Sequence, residues 1–264
     1  FSLNGNLERV KKLILKRLNK DPVVILRLNK NLENKKIISY IKSLSKIMGQ
    51  LVPQNKLGKK YVYVFDRKRN SKQFSKQRYH QTRDGGYIHT DNVNIKEKWD
   101  YMLLGCVSKG MVGGETILIY ARDLYRELKK FPNVVDQLRK DFYWYKKGFS
   151  NEIFKRPILT VHNGKAEFRY LRSYLEEAYE IKKINLTNKK IFSLNVLDSL
   201  LSLKKLQKRL TLEKGDILIG KDSEFLHGRT EFVDNEKAIS VFKKNKNHKA
   251  PYKGTLVRTW IRKK

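Results

Sequence analysis

The sequence predicts a mainly β domain with flanking helices, built around a jelly-roll core. Short strand patterns recur along the 264 residues, with helical patterns interspersed among them. Apolar residues make up 40% of the chain, which is ordinary for a folded domain and too much for a disordered one. Because the chain contains neither internal repeats nor a linker-like segment, we expect a single domain over residues 1–264.

The N-terminal flank, residues 1–60, is predicted to contain two helices and a strand. Apolar residues at helical spacing predict the first helix over residues 6–18, and a short buried strand follows at 23–26. A second amphipathic helix is predicted over residues 37–48, where Gly49 ends it.

The predicted core, residues 61–264, contains most of the strand patterns and two helical insertions. The strand patterns lie at residues 61–65, 99–107, 116–119, 216–219, 238–242 and 255–261. Helices are predicted over residues 123–131 and 193–212, and the apolar spacing of the second is typical of a helix packed on a sheet. Residues 66–83 are polar and without periodicity, so we expect a loop near a site entrance.

A candidate metal site begins with the segment Asp-Gly-Gly-Tyr-Ile-His-Thr-Asp at residues 84–91. If residues 87–91 form a strand, the period of two places His89 and Asp91 on the same face. His227 follows the predicted strand at 216–219 and is the candidate third ligand. Two histidines and a carboxylate on one face of an octahedron are typical of non-haem Fe(II) sites.

Five segments resemble the TauD/TfdA branch of the Fe(II)/2-oxoglutarate-dependent oxygenases, and within it the clavaminate synthase-like amino-acid oxygenases. These segments are HTD at 89–91, GGET at 113–116, GDIL at 215–218, HGRT at 227–230 and LVRTW at 256–260. Their order and spacing follow the family from about residue 80 to the end. The resemblance implies a double-stranded β-helix, the cupin-like jelly roll, with metal ligands on its strands and adjoining loops.

The resemblance also implies the cofactors and the reaction. Fe(II) is expected to bind His89, Asp91 and His227 as the catalytic centre, with 2-oxoglutarate as co-substrate and O2 as oxidant. Oxidative decarboxylation of 2-oxoglutarate then gives succinate and carbon dioxide and drives hydroxylation of an unactivated C–H bond. Related enzymes also desaturate or cyclise their substrates, and the sequence leaves these outcomes open. The expected substrate is a small amino acid or a derivative, either free or tethered to a carrier protein.

The resemblance assigns the distal carboxylate of 2-oxoglutarate to Thr116 and Arg258. Arg258 lies farther beyond the second histidine than is usual in the family, so the loop at residues 243–254 is predicted to be an insertion. Arg262 shares a strand face with Arg258 and is an alternative partner, as is Arg229.

Two further residues are candidates for substrate binding. Arg172 lies where the clavaminate synthase-like enzymes carry an Arg- and Tyr-rich substrate segment, and its guanidinium suits an amino-acid carboxylate. A solvent-facing helix over residues 171–181 is an equally good interpretation. Asp84 is a candidate for lining the pocket, although a turn beside Gly85 is the simpler interpretation of this residue.

The net charge of +33 arises from 59 Lys and Arg residues against 26 Asp and Glu residues. Such an excess attracts polyanions such as nucleic acid, anionic membranes or acidic proteins. Lysine is nevertheless spread along the whole chain, and no zinc-finger, RRM or basic-zipper pattern is present. We therefore favour a compositional origin, with an acidic carrier protein as a candidate partner. A nucleic-acid-binding protein and a catalytically inactive jelly-roll binding protein are the alternative functions.

The cellular compartment is predicted from cysteine content and hydropathy. Cys106 is the only cysteine, so no intramolecular disulfide can form. No stretch approaches the roughly 20 apolar residues of a membrane span, and residues 1–17 carry charges where a signal peptide would be apolar. We expect a cytoplasmic protein without membrane association, and the sequence leaves the oligomeric state open.

Overall fold

The computed structural model describes residues 3–65, 85–91, 93–96, 99–233 and 255–263. The predicted loop at 66–83, Asp84, the predicted strand at 238–242 and the predicted insertion at 243–254 lie outside the described residues. The helices of the described residues are Leu3–Leu18 (α1), Asn34–Met48 (α2), Ala121–Leu128 (α3), Pro132–Leu138 (α4), Arg172–Lys182 (α5) and Asn188–Ser202 (α6).

Antiparallel pairing connects the strands of the described residues. In chain order these strands are Val23–Arg27 (β1), Gln50–Val52 (β2), Val62–Val64 (β3), Tyr101–Ser108 (β4), Val112–Gly113 (β5), Thr116–Tyr120 (β6), Asp141–Tyr145 (β7), Ile153–Pro157 (β8), Leu159–His162 (β9), Lys165–Phe168 (β10), Lys208–Leu210 (β11), Asp216–Lys221 (β12), Phe225–Arg229 (β13), Phe232–Val233 (β14) and Thr255–Arg262 (β15). The two sheets described next hold the functional site.

The major sheet has the strand order β1-β12-β4-β15-β2, and β3 also pairs with β15. Alternation along β4 sends Leu103 and Val107 outward, where they pack with α1 and α2. Leu104 and Cys106 point to the opposite face, into the interior. Because both faces of β4 are covered, its sequence is nearly continuously apolar rather than alternating. Strands β1 and β2 show that the first 60 residues contribute to this sheet.

The minor sheet has the strand order β11-β6-β13. Ile119 and Leu226 point outward into a core cluster formed with α3, α4 and α6, whereas Leu118 and Phe225 point inward. The inward residues of the two sheets, among them Leu118 and Trp260, form a shared buried cluster. Two antiparallel sheets packed face to face, with helices on their outer faces, confirm the predicted jelly roll with flanking helices.

The limits of two helices in the core differ most clearly from the predictions. Helix α6 ends at Ser202 rather than at residue 212, because Leu203 takes an extended backbone. Apolar residues continue at helical spacing beyond Ser202, but they lie in other elements. Leu206 packs on the outer core cluster from a 3₁₀ turn, and Leu210 packs on the inner cluster from β11. The helix predicted over residues 123–131 is shorter, since Pro132 begins α4 as a separate helix.

No helix among the described residues has both the length and the apolar character needed to cross a lipid bilayer.

Candidate active site

His89, Asp91 and His227 converge between the two sheets. The Nε2 atoms of His89 and His227 lie 3.8 and 3.9 Å from Oδ1 of Asp91. One ligand atom from each residue falls within 4.8 Å of the other two, and the imidazole centroids are 4.5 Å apart. The structure therefore brings together the three residues that the sequence predicts as metal ligands.

Backbone pairing between residues 85–91 and β13 sets the separation of the two histidines. The His89 amide donates to the His227 carbonyl at 2.9 Å, and the His227 amide donates to the His89 carbonyl at 2.8 Å. Gly228 permits this close approach, since a Cβ there would lie 2.8 Å from Ile88 Cδ1 and 3.1 Å from the Gly86 carbonyl oxygen. Gly228 therefore allows residues 86–88 to pack closely against β13.

Residues 87–91 do not form the strand on which the shared face of His89 and Asp91 was conditional, because only His89 pairs, through an isolated bridge to His227. Thr90 instead bonds to the segment that follows β10: its amide donates to the Tyr170 carbonyl at 2.9 Å, and its Oγ1 accepts from the Tyr170 amide at 3.0 Å. Fixing Thr90 in this way leaves the two flanking side chains, His89 and Asp91, together at the candidate metal site.

Hydrogen bonding and burial prepare both imidazoles to bind a metal. Nδ1 of His89 lies 2.8 Å from the Tyr87 carbonyl oxygen. Because a carbonyl only accepts, this contact places the proton on Nδ1 and leaves the Nε2 lone pair available. Burial lowers the pKa of His89, and burial together with the neighbouring imidazole lowers the pKa of His227 to about 3. Both rings are therefore neutral at neutral pH, as metal ligation requires.

Asp91 is held ionised by its neighbours. Burial alone would raise its pKa, but the positive charge of Arg258, together with the hydrogen bond from Trp260, brings the pKa below its usual value. Nη1 of Arg258 donates to Oδ1 at 2.7 Å, and Nε1 of Trp260 donates to Oδ2 at 2.8 Å. The carboxylate is thereby fixed in one orientation, with Oδ1 facing the histidines.

The structure places Arg258 beside the candidate metal ligands. In addition to Asp91, its guanidinium bonds to Gln54, whose Oε1 accepts from Nε at 2.9 Å. Gln54 is buried, and its own amide donates to the carbonyls of Lys60 and Arg258, each at 3.0 Å. Arg262 lies four positions further along β15, opposite Gln50 of β2.

Thr116 and Arg229 form a directly opposed pair on β6 and β13. Both side chains are buried. The next inward-facing pair along the same two strands is Leu118 and His227, so Thr116 and Arg229 lie one side-chain step from the candidate metal site.

Arg172 lies on the other side of the minor sheet. Its guanidinium donates to Glu176 at 2.7 Å, to Asn195 at 2.8 Å and to Asp198 at 2.7 Å. It lines a cavity together with Ile117, which alternation places on the face opposite His227. A role for Arg172 in substrate binding stays a prediction, as does one for Asp84, which lies outside the described residues.

Sequence reasoning missed Gln54 and gave no role to Trp260. Trp260 has a usable signal, because it lies two residues from Arg258 and shares its strand face. Gln54 has no such signal. It lies in the N-terminal flank, and only the pairing of β2 with β15 brings it to Arg258.

The fold resembles that of several solved structures, two of them of iron-containing oxygenases. An asparagine oxygenase, solved in complex with Fe(II), 2S,3S-3-hydroxyasparagine and succinate, superposes with a TM-score of 0.65 at 15% identity over 97% of this chain and 79% of that one. The non-haem iron oxygenase OrfP, solved with Fe and alpha-ketoglutaric acid, gives a TM-score of 0.63 at 12% identity over 98% and 80%. The PvcB protein from Pseudomonas aeruginosa gives 0.62 at 14% over 95% and 79%.

At the level of sequence, a search of proteins with curated functions finds no match to this chain. The sequence pattern of the family described as "Taurine catabolism dioxygenase TauD, TfdA family" matches residues 2–242. This match spans most of the chain and includes all three candidate metal ligands. The chain therefore belongs to the TauD/TfdA family of dioxygenases.

Proposed function

We propose that this dioxygenase uses Fe(II) and 2-oxoglutarate to oxidise an unactivated C–H bond of a small amino-acid-like substrate. The observation that carries the proposal is the convergence of His89, Asp91 and His227, two neutral imidazoles and one carboxylate, at a single point. This donor set suits Fe(II) and leaves coordination positions open for a chelating co-substrate and dioxygen. The family match and the iron-containing structural relatives support the same assignment.

The protein side chains would hold the iron in a fixed geometry. His89 is oriented through its bond to the Tyr87 carbonyl, and Asp91 through Arg258 and Trp260. When bound, the iron supplies the redox chemistry that couples dioxygen to oxidation of 2-oxoglutarate. Hydrogen-bonded partners of this kind fix the ligand orientation and affect metal affinity.

The co-substrate needs a partner for the carboxylate distal to the iron. Thr116 offers a hydroxyl, and two arginines of the described site, Arg229 and Arg258, offer a guanidinium. An arginine matches the bidentate geometry of a carboxylate, which is why one of the two is expected to bind it. Hydroxylation is the default outcome, with desaturation and cyclisation as alternatives for a differently placed target carbon.

The amino-acid-like substrate is supported by the structural relatives. The asparagine oxygenase was solved with hydroxyasparagine and OrfP with (3S)-hydroxy-L-Arg. An acidic carrier protein that delivers the substrate would complement the net charge of +33. If a carrier delivers the substrate, higher ionic strength should slow the carrier-bound reaction more than the reaction of the free molecule. Equal salt sensitivity would contradict carrier delivery.

The proposal is tested by 2-oxoglutarate turnover with a panel of free amino acids. The purified protein is incubated with Fe(II), 2-oxoglutarate and O2, and succinate and the oxidised amino acid are quantified by mass spectrometry. We expect at least one amino acid to stimulate succinate formation and to gain one oxygen or lose two hydrogens. His227→Ala should abolish this turnover, whereas His162→Ala, an exposed histidine on β9, should retain it. Turnover retained by His227→Ala would contradict the assigned site.

A further inference from the structure

We infer that Asp198 on α6 is a positioning residue for the candidate metal site, and that it acts through Tyr170 and Thr90. This inference rests on the proposed function, because Thr90 lies between the candidate metal ligands His89 and Asp91. It deepens that function, since it gives a helix outside the two sheets a part in holding the metal-binding segment.

Thr90 is the point at which the metal-binding segment is fixed. It is completely buried. Its amide donates to the Tyr170 carbonyl at 2.9 Å, and its Oγ1 accepts from the Tyr170 amide at 3.0 Å. Because both sequence neighbours of Thr90 are candidate ligands, a displacement of Tyr170 would move the two ligand side chains together.

The connection that carries Tyr170 belongs to no helix or strand. Strand β10 ends at Phe168 and α5 begins at Arg172, so residues 169–171 are a short link between them. Both backbone groups of Tyr170 are used for the bonds to Thr90. The position of this link relative to the helices therefore depends on side-chain contacts.

Asp198 supplies those contacts at both ends of residues 170–172. The Tyr170 phenol donates to Oδ1 of Asp198 at 2.5 Å, and Nη1 of Arg172 donates to Oδ2 at 2.7 Å. Each carboxylate oxygen thus accepts one bond from the same short segment. Bonds to a carboxylate are stronger than those between neutral groups, so this pair ties the segment firmly to α6.

Helix α6 is a rigid support for Asp198. Leu194, Leu197 and Leu201 of this helix are buried in the outer core cluster. A side chain carried by a packed helix holds its partners more precisely than one carried by a loop.

Burial makes the bond between Tyr170 and Asp198 costly to lose. Tyr170 is 1% exposed. Burial and the charge of Asp198 raise the pKa of Tyr170, so the phenol keeps its proton and acts as the donor. A buried hydroxyl without an acceptor is unfavourable. Asp198 borders a cavity of about 600 Å³, and without this carboxylate the phenol would turn towards water in that space and draw the link away from Thr90.

The first test is the Fe(II) affinity of a variant that lacks only the phenol oxygen, measured by anaerobic titration. Tyr170→Phe should weaken Fe(II) binding about fivefold, the effect of one hydrogen bond. Tyr179→Phe is the matched control, because Tyr179 is also buried in the outer core cluster but its hydroxyl accepts from Nζ of Lys190 at 2.8 Å. The control should bind Fe(II) as the wild type does.

Two changes at Asp198 separate positioning from general packing. Asp198→Leu removes the acceptor and should also weaken Fe(II) binding about fivefold. Asp198→Asn keeps an oxygen that accepts from Tyr170 and should restore an affinity close to that of the wild type. The double variant Tyr170→Phe/Asp198→Leu should bind no more weakly than Asp198→Leu alone, because both changes remove the same bond. Losses that multiply in the double variant would contradict action through Tyr170.

Hydrogen exchange of the Thr90 amide in the metal-free protein gives a readout that is independent of iron. Tyr170→Phe and Asp198→Leu should each accelerate this exchange about fivefold, whereas Tyr179→Phe should not. Unchanged exchange and unchanged Fe(II) affinity in Tyr170→Phe would overturn the inference, even if urea unfolding showed a loss of stability. Absence of Fe(II) binding by the wild type would contradict the proposed function, and the exchange rates would still decide whether Asp198 orders Thr90.

Discussion

At the residue scale, Asp91 is the most constrained group of the candidate active site. Both carboxylate oxygens accept a hydrogen bond from β15, one from Arg258 at 2.7 Å and the other from Trp260 at 2.8 Å. The side chain is almost fully buried, so its charge depends on these two donors. A metal ligand held in this way loses little freedom when the metal binds.

Trp260→Phe should therefore weaken Fe(II) binding about 10- to 100-fold, because the indole donor that orients Asp91 is lost. Anaerobic titration with Fe(II) measures this affinity. Trp144→Phe is the matched control: Trp144 is also buried and donates its indole proton, but to the Arg156 carbonyl in the outer core. Equal affinities for the Trp260→Phe variant and the wild type would show that this bond does not order the ligand.

The lowered histidine pKa values predict an acid-sensitive metal-free protein. His227 has a pKa of about 3 in the folded chain, whereas the unfolded value is near 6.5. Below about pH 6.5 the unfolded state therefore takes up a proton that the folded state does not, and stability falls as the pH decreases towards 3. Between about pH 6.5 and 5 this single group should cost about 2 kcal/mol.

Urea unfolding of the metal-free protein at pH 7.5 and 5 measures this effect. The His227→Asn variant should lose less stability than the wild type over the same interval, because it lacks the titrating ring. An identical pH dependence for variant and wild type would contradict the lowered pKa of His227.

At the element scale, the turn at Gly113 leads from β5 into β6, the strand that begins with the candidate co-substrate residue Thr116. Gly113 has φ +75°, and a Cβ there would lie 2.1 Å from the Glu231 carbonyl oxygen. It pairs with Phe232 across β5 and β14, and Phe232 contacts the guanidinium of Arg229. A side chain at this turn must therefore displace the strand that supports Arg229.

Gly113→Ala should weaken 2-oxoglutarate binding more than Fe(II) binding, because it disturbs the strands next to Thr116 and Arg229 rather than the ligands. Gly164→Ala is the matched control, since Gly164 has φ +74° but open space around its Cβ position. Both variants carry the backbone strain of about 1 kcal/mol, so the difference between them reports the steric contact. Calorimetric titration with each ligand checks the prediction, and similar effects of the two variants would contradict it.

Local patterns predicted several strands of the two sheets more successfully than the contacts between elements. Strands β4, β6 and β12 follow from apolar runs bounded by turn residues, and His227 from its position after β12. The partners of Arg258 depend on the register of β15 against β2 and β4, which is set by pairing between segments distant in sequence. Gln54 therefore could not be placed from the sequence, and the apolar spacing beyond Ser202 was misinterpreted as helix.

At the scale of the whole molecule, the net charge is +33, whereas the candidate metal ligands are one ionised carboxylate and two neutral imidazoles. The site itself therefore gives no reason for the large positive charge. If the charge is compositional, duplex DNA should bind only through counterion release. Fluorescence anisotropy should then show binding at about 50 mM salt that is lost by about 200 mM, without preference among sequences. Sequence-selective binding that persists at the higher salt concentration would support the nucleic-acid alternative.

The jelly roll explains why residues distant in sequence form one site. Its major sheet supplies Arg258 and Trp260, its minor sheet supplies His227, and residues 85–91 lie beside the minor sheet with His89 and Asp91. We propose that this arrangement binds Fe(II) and presents it to 2-oxoglutarate.

The most direct test of that claim is anaerobic addition of 2-oxoglutarate to the Fe(II)-loaded protein, followed by visible absorption. Chelation of a 2-oxo acid at a three-ligand iron site gives a weak charge-transfer band, which the wild type should show and Asp91→Ala should lack. Asp123→Ala, which removes a carboxylate from α3 on the outer layer, should retain the band. Absence of the band in the wild type, or its persistence in Asp91→Ala, would contradict the assignment of His89, Asp91 and His227 as the iron site.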